Sequence, residues 1–325
     1  MNKWQQKDFF FTDSDYEKRM KTEVAPWLEE YVTKDYFYSF DRTKIAYYYA
    51  LCPKAKGTIV MLHGFCEFFG KYHELMYYFY QAGYSVFFLE QRGHGHSQHP
   101  LMNSDKVYIQ SYDDYVRDLK HLLDVVISER TNHKQLYLYC HSMGGCVGTL
   151  FLERYPHYFK KVVLSSPMLA LNWNKLPRIV IRLLCLWSSI VRWDKRFVPG
   201  HHGFDDMPTF SRSSVLSKPR YRYMFHLRRE DKYNRTYGGT YAWARSSMRA
   251  MDQAQFFAGA IQIPVLLCTA GLDTMVKNEG QDQFARHCRH LQRLYFHNSK
   301  HEIFNATDDE RIPYFHALME FYSEV

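Results

Sequence analysis

The stretch Leu138-Tyr139-Cys140-His141-Ser142-Met143-Gly144-Gly145 carries an apolar run into a serine flanked by small residues, and a helix-compatible run follows. A serine so placed sits on a sharp strand-to-helix turn, which lifts its hydroxyl clear of the chain in a strained backbone conformation. The residues two before and two after such a serine must be small, because backbone crowds them. Here they are Cys140 and Gly144. The usual pattern has glycine at both places, so Cys140 is a departure of modest volume. An ordinary turn with a glycine-rich helix start competes with this reading until partners for the hydroxyl are found.

A serine hydroxyl is a poor nucleophile at neutral pH; it needs a general base, and the base needs a carboxylate to orient it. In open α/β sheets the active groups gather beyond the C-terminal ends of the strands. The strand-like run 264–269 ends at Ala270-Gly271-Leu272-Asp273, and the last such run ends just before Asn298-Ser299-Lys300-His301-Glu302. Asp273 and His301 are therefore the expected orienter and base, and the chain order serine, acid, histidine is that of α/β-hydrolases. Each alone is unremarkable, since the chain has 17 histidines and an aspartate after a strand often caps the next helix. Their joint order and placement favour the triad. His141 lies on the turn itself and points elsewhere; Glu279 and Asp282 fall within the next helix.

The developing oxyanion calls for two backbone N–H groups, one from the residue after the nucleophile and one from a loop after an early strand. The first falls on Met143. The second falls on Phe65, in His63-Gly64-Phe65-Cys66-Glu67, where Gly64 lets the backbone turn in close. A further loop, Gln91-Arg92-Gly93-His94-Gly95-His96-Ser97, also follows a strand-like run; it lacks the glycine spacing of a dinucleotide-binding turn.

The elements that must hold these residues alternate. Runs at 36–40 and 45–51 read as an opening hairpin turning at Asp41-Arg42-Thr43. Runs at 58–62, 85–89, 136–140, 162–165, 264–269 and 294–297 fit strands buried on both faces. Helical periodicity recurs at 72–82, 112–128, 143–154, 278–290 and 310–322. The pattern predicts a mostly parallel sheet flanked by helices. It breaks after Ser165-Ser166-Pro167 and resumes at Ile263-Pro264, which predicts a mainly helical cap inserted before the penultimate strand. The expected organisation is an N-terminal arm at 1–34, core at 35–167, cap at 168–260 and core again at 261–325.

The net charge of +8 is concentrated in that insertion. From Leu171 to Arg235 there are fourteen Lys/Arg against five Asp/Glu. There, Arg178, Arg182, Cys185, Ser189 and Arg192 recur at helical spacing as a narrow polar stripe on a broadly apolar helix. Packing on the core explains such a helix; contact with lipid is the sharper reading. Seven cysteines show no paired spacing, so no disulfide framework or metal site is expected. The aromatic share of 18% reads as compositional bias. The N-terminus lacks the apolar core of a secretion signal, and no run is long enough for a clean membrane span. These features predict a cytoplasmic protein, with the basic cap touching the inner face of the membrane, and no nucleic-acid partner.

Taken together, His63-Gly64 with Glu67, the Gln91–Ser97 loop, His141-Ser142-Met143-Gly144-Gly145 and His301-Glu302 resemble the monoacylglycerol lipase branch of the α/β-hydrolases. They are more similar to its bacterial lysophospholipases, with which Gly238-Gly239-Thr240-Tyr241-Ala242-Trp243 in the insertion is also shared. The resemblance runs from about Trp27 to the C-terminus. It implies Ser142 as nucleophile, His301 as base, Asp273 as its partner, and Phe65 and Met143 as oxyanion donors. It further implies hydrolysis of a single-chain lipid ester, lysophospholipid first and monoacylglycerol second, with no cofactor or metal. A small-ester esterase or an aminopeptidase on the same scaffold is the second enzyme reading; the peptidase needs acids in the cap to hold a substrate amine, and this insertion is poor in them. A non-catalytic binding protein normally lacks part of the triad, and here every part is present.

Overall fold

The computed structural model describes residues 2–131, 135–173 and 177–324. Ten strands follow in chain order: β1 Thr33–Tyr38, β2 Lys44–Ala50, β3 Thr58–Leu62, β4 Ser85–Leu89, β5 Lys106–Val107, β6 Leu136–His141, β7 Lys161–Ser165, β8 Gly238–Gly239, β9 Val265–Ala270 and β10 Leu291–Phe296. Eight form one sheet in the order β1-β2-β4-β3-β6-β7-β9-β10. The β1–β2 and β2–β4 pairs are antiparallel, and every other neighbour is parallel.

Period-two alternation explains why the central strands are apolar throughout. In β3, Val60 and Leu62 enter one apolar cluster while Ile59 and Met61 enter the other, on the opposite face. The first cluster also takes in residues of the helix Met143–Arg154 and of the insertion. The second is largely aromatic. Phe9, Phe10, Phe11 and Trp27 pack with Tyr78, Phe79, Tyr139, Tyr314, Phe315 and Tyr322. Within this layer buried tyrosine hydroxyls find partners, as between Tyr139 and Tyr314 at 2.9 Å and from Tyr322 to the Leu138 carbonyl at 2.7 Å. The aromatic excess is thus more than bias: it builds the layer under which residues 9–31 are laid.

The expected strands and helices are found with shifted ends. The hairpin begins earlier, at Thr33, and the last strand spans Leu291–Phe296 rather than 294–297. The segment 112–128 is a helix at Asp113–His121 that widens into a π turn at Leu122–Ile127. Helical turns at Tyr16–Arg19, Met20–Val24 and Ala25–Tyr31 run together, so the N-terminal arm is largely helical.

Among the described residues between β7 and β9 lie three α-helices, Arg178–Ile190, Lys218–Glu230 and Tyr241–Phe256. The short parallel ribbon of β5 and β8 ties this insertion to the core. So does Arg220, whose buried guanidinium holds Glu74 and Asp13, each at 2.6 Å. The structure settles which face of the first helix is outward, a point that its sequence pattern left open. Arg178 and Arg182 pair at the surface with Asp252 of the neighbouring cap helix, while Ile181, Cys185 and Ser188 are the buried positions. The apolar residues Ile179, Leu183, Leu186, Trp187 and Ile190 face out, Ile190 with 80% of its surface exposed.

Candidate active site

Strand β6 ends at His141, and the helix Met143–Arg154 starts one residue after Ser142. Ser142 therefore takes the whole turn and adopts φ +51°, a strained conformation for a non-glycine residue. Gly144 permits the turn to sit against β3, since a Cβ there would lie 2.5 Å from the Leu62 carbonyl oxygen. The Cys140 departure is accommodated one helical turn further on. A Cβ on Gly148 would lie 2.5 Å from the Cys140 Sγ, so the sulfur fills the space that this glycine leaves.

His301 Nε2 stands 2.8 Å from Ser142 Oγ, and His301 Nδ1 stands 2.6 Å from Asp273 Oδ2. The other Asp273 oxygen accepts the N–H groups of Met275 at 2.8 Å and Val276 at 3.0 Å. The carboxylate is thereby fixed, so Nδ1 donates and Nε2 is left to accept from the serine. Burial pushes the Asp273 carboxyl up, but His301 and the two amides outweigh it and hold it below its ordinary value. Burial likewise favours neutral His301, yet the Asp273 charge overrides it and raises the imidazole above its ordinary value. The unit can take a proton from the serine and keep the resulting imidazolium stable.

Met143 is the first residue of its helix, so its N–H has no partner within the helix. Phe65 lies on the loop after β3, and the close approach of that loop is visible at Gly64, where a Cβ would be 3.0 Å from the Ser142 Cβ. The structure thus brings the three side chains together directly, while Met143 adjoins Ser142 and the loop carrying Phe65 approaches it at Gly64. His141 turns away, with Nδ1 3.1 Å from the Ser165 carbonyl oxygen, and burial lowers it to about 4.

The Gln91–Ser97 loop braces rather than binds. The Gln91 N–H donates to His63 Nε2 at 2.9 Å, which leaves His63 Nδ1–H to donate to the Gly64 carbonyl at 2.7 Å. Arg92 is committed to Asp118 at 2.6 Å and to Asp41 at 2.8 Å.

Sequence reasoning missed a buried ionic cluster behind the site. Lys71 bridges Glu67 and Glu302, the latter at 2.7 Å. Glu67 also accepts the Gly64 N–H and the Tyr72 hydroxyl. It therefore fixes the loop that carries Phe65, while Glu302 adjoins His301. The i,i+4 spacing of Glu67 and Lys71 was the one available signal; nothing local pointed to Glu302. Also missed was Arg228, whose Nη2 donates to the Cys66 carbonyl at 2.7 Å from across the insertion.

No cluster of three or more candidate metal-ligating side chains occurs among the described residues. No helix there is long and apolar enough to cross a membrane.

Comparison with known proteins agrees with this architecture. The model of the family described as "Serine aminopeptidase, S33" matches residues 53–308. Lysophospholipase L2 of Escherichia coli K12 is 29% identical over 274 residues, covering 82% of this chain and 80% of that protein. A probable lysophospholipase L2 of Haemophilus influenzae is 25% identical over 293 residues, covering 89% and 91%. Among solved structures, a soluble variant of monoglyceride lipase from Saccharomyces cerevisiae superposes with a TM-score of 0.71 at 20% identity, covering 89% of this chain and 94% of that one.

Proposed function

The chain belongs to the serine aminopeptidase S33 family of α/β-hydrolases, and on that premise we propose that it is a serine ester hydrolase acting on single-chain lipid esters, lysophospholipids foremost. The observation that carries this reading is the continuous hydrogen-bonded series Ser142–His301–Asp273, at 2.8 and 2.6 Å, on a strained turn. Ser142 Oγ attacks the ester carbonyl while His301 Nε2 takes its proton. The Phe65 and Met143 N–H groups receive the oxyanion. His301 then gives the proton to the glycerol-side oxygen, which leaves, and water repeats the sequence on the acyl-enzyme. In this reading residues 168–260 form a cap between the core segments 35–167 and 261–325, with 1–34 as an arm.

The family description names an aminopeptidase, but three of the few cap acids already have basic partners. Asp194 holds Arg245 at 2.6 Å, Asp206 holds Arg229 at 2.8 Å, and Asp231 meets His96 at 2.8 Å. None of these carboxylates is left to hold a substrate amine. The names of the Escherichia coli and Haemophilus influenzae relatives point instead to a lysophospholipid, and the outer face of the cap suits a lipid source. The apolar row Ile179, Leu183, Leu186, Trp187 and Ile190 is followed by exposed Arg192, Lys195 and Arg196. An apolar face bordered by cations lies in the interface of an anionic membrane, each cation contributing about 1 kcal/mol near the surface.

A fluorophosphonate probe tests the nucleophile. The protein should be labelled, and labelling should disappear with Ser142→Ala. Absence of Ser142-dependent labelling in folded protein would end the enzyme reading.

A further inference from the structure

Arginines that lie out of solvent in this protein are matched by carboxylates. Arg92 has Asp118, Arg220 has Glu74 and Asp13, and Arg245 has Asp194, each at 2.6 Å. Arg228, half-buried near the end of the cap helix Lys218–Glu230, is different. Among the described residues no carboxylate lies within ion-pair distance of it, and its buried Nε has no hydrogen-bond partner. Its one hydrogen bond goes from Nη2 to the Cys66 carbonyl at 2.7 Å, and its guanidinium stands 5.3 Å from the Phe68 ring centroid. Desolvation pushes this guanidinium below its ordinary value. A buried N–H group such as this Nε, on a half-buried cation without an anion, normally has a partner.

The position says what that partner is. Cys66 directly follows Phe65, and the same short loop passes Gly64, whose Cβ position is 3.0 Å from the Ser142 Cβ. A single loop therefore separates the nucleophile from the unpaired guanidinium. In a lysophospholipid a glycerol bridge separates the scissile ester from a phosphodiester anion; in a monoacylglycerol an uncharged hydroxyl stands in its place. The nearest alternative cation, Lys71, is already neutralised by Glu67 and Glu302.

We propose that Arg228 is the specificity-determining residue of the site, receiving the headgroup phosphate of a lysophospholipid through its unpaired N–H groups. This rests on the ester-hydrolase reading above. Guanidinium suits the role because its fixed fork matches the phosphate oxygens.

The test is kcat/KM on a lysophosphatidylethanolamine and on a monoacylglycerol of the same acyl chain, each in the same detergent micelle. Arg228→Gln should lower the ratio of the two by about tenfold to a hundredfold, and Arg228→Lys should restore part of it. An equal loss on both substrates means that Arg228 only steadies the Cys66 loop, and it overturns the proposal alone. A wild-type protein inactive on both overturns the ester-hydrolase reading and the proposal with it. Should the variants not fold, native protein decides. Glycerophosphoethanolamine should inhibit monoacylglycerol turnover far better than glycerol does. Equal inhibition by the two, or by inorganic phosphate and the phosphodiester, would remove the headgroup assignment.

Discussion

Asp273 accepts the Nδ1–H of His301 at 2.6 Å while its second oxygen is held by the N–H groups of Met275 and Val276. The acid is thus fixed by its own loop before it orients the base. Because the base must be neutral to take the serine proton, kcat/KM should rise with pH through the His301 value. That value is lifted above the ordinary 6.5, since Asp273 outweighs the opposing burial. Asp273→Asn should move the rising limb to lower pH and reduce kcat by about 10³–10⁴. An unmoved limb in the pH profile would contradict the role given to Asp273.

The fit of Cys140 into the space over Gly148 makes a compensating pair. Gly148→Ala should destabilise by about 1–3 kcal/mol, because its methyl meets the Cys140 sulfur. Adding Cys140→Gly should recover at least about 1 kcal/mol. Urea unfolding of the two single variants and the double variant measures the coupling, and strict additivity would show the contact to be slack.

The Lys71 cluster sets an acid limit on stability. Burial pushes the Glu67 and Glu302 carboxyls up, but Lys71 reverses this and holds both below the ordinary 4.5. Their contribution is complete above that value and is lost as pH falls through their folded-state values. Lys71→Met leaves two buried carboxylates unpaired and should cost about 3–5 kcal/mol at neutral pH. Its stability should also fall less steeply on acidification than that of the wild type. Equal acid slopes by urea titration would contradict this.

The cap helix should matter only at an interface. Replacing Leu183 and Ile190 together with Asp should weaken binding to anionic vesicles at least about tenfold. Turnover of a soluble short-chain ester should be retained, because both side chains point away from the core. Loss of both activities together would place the helix in the site rather than on the membrane.

The site was legible wherever a residue's role follows from the end of a strand. Phe65, Ser142 and Asp273 directly follow buried apolar strands, which are the strongest local signal in the chain, and Met143 opens the helix after Ser142. The edge strands β1 and β10 were less so, because exposed or half-buried edge residues such as Thr33, Gln292 and Arg293 need not be apolar. The helical character of residues 16–31 was invisible for another reason. Its stability comes from docking Trp27 and Met20 onto a distant aromatic layer rather than from local propensity. The same holds for the cap helix, whose inward face, Ile181, Cys185 and Ser188, is set by packing against distant parts of the fold. The Lys71–Glu302 pair joins residues far apart in sequence, and no spacing rule reaches that far.

The most direct measurement is the release of free fatty acid from a lysophospholipid by the purified protein and by Ser142→Ala. The wild type should turn over, and the variant, folded and with an unchanged melting temperature within about 2 °C, should be slower by about 10⁴ or more. Comparable release by both proteins, or by neither, would contradict the account.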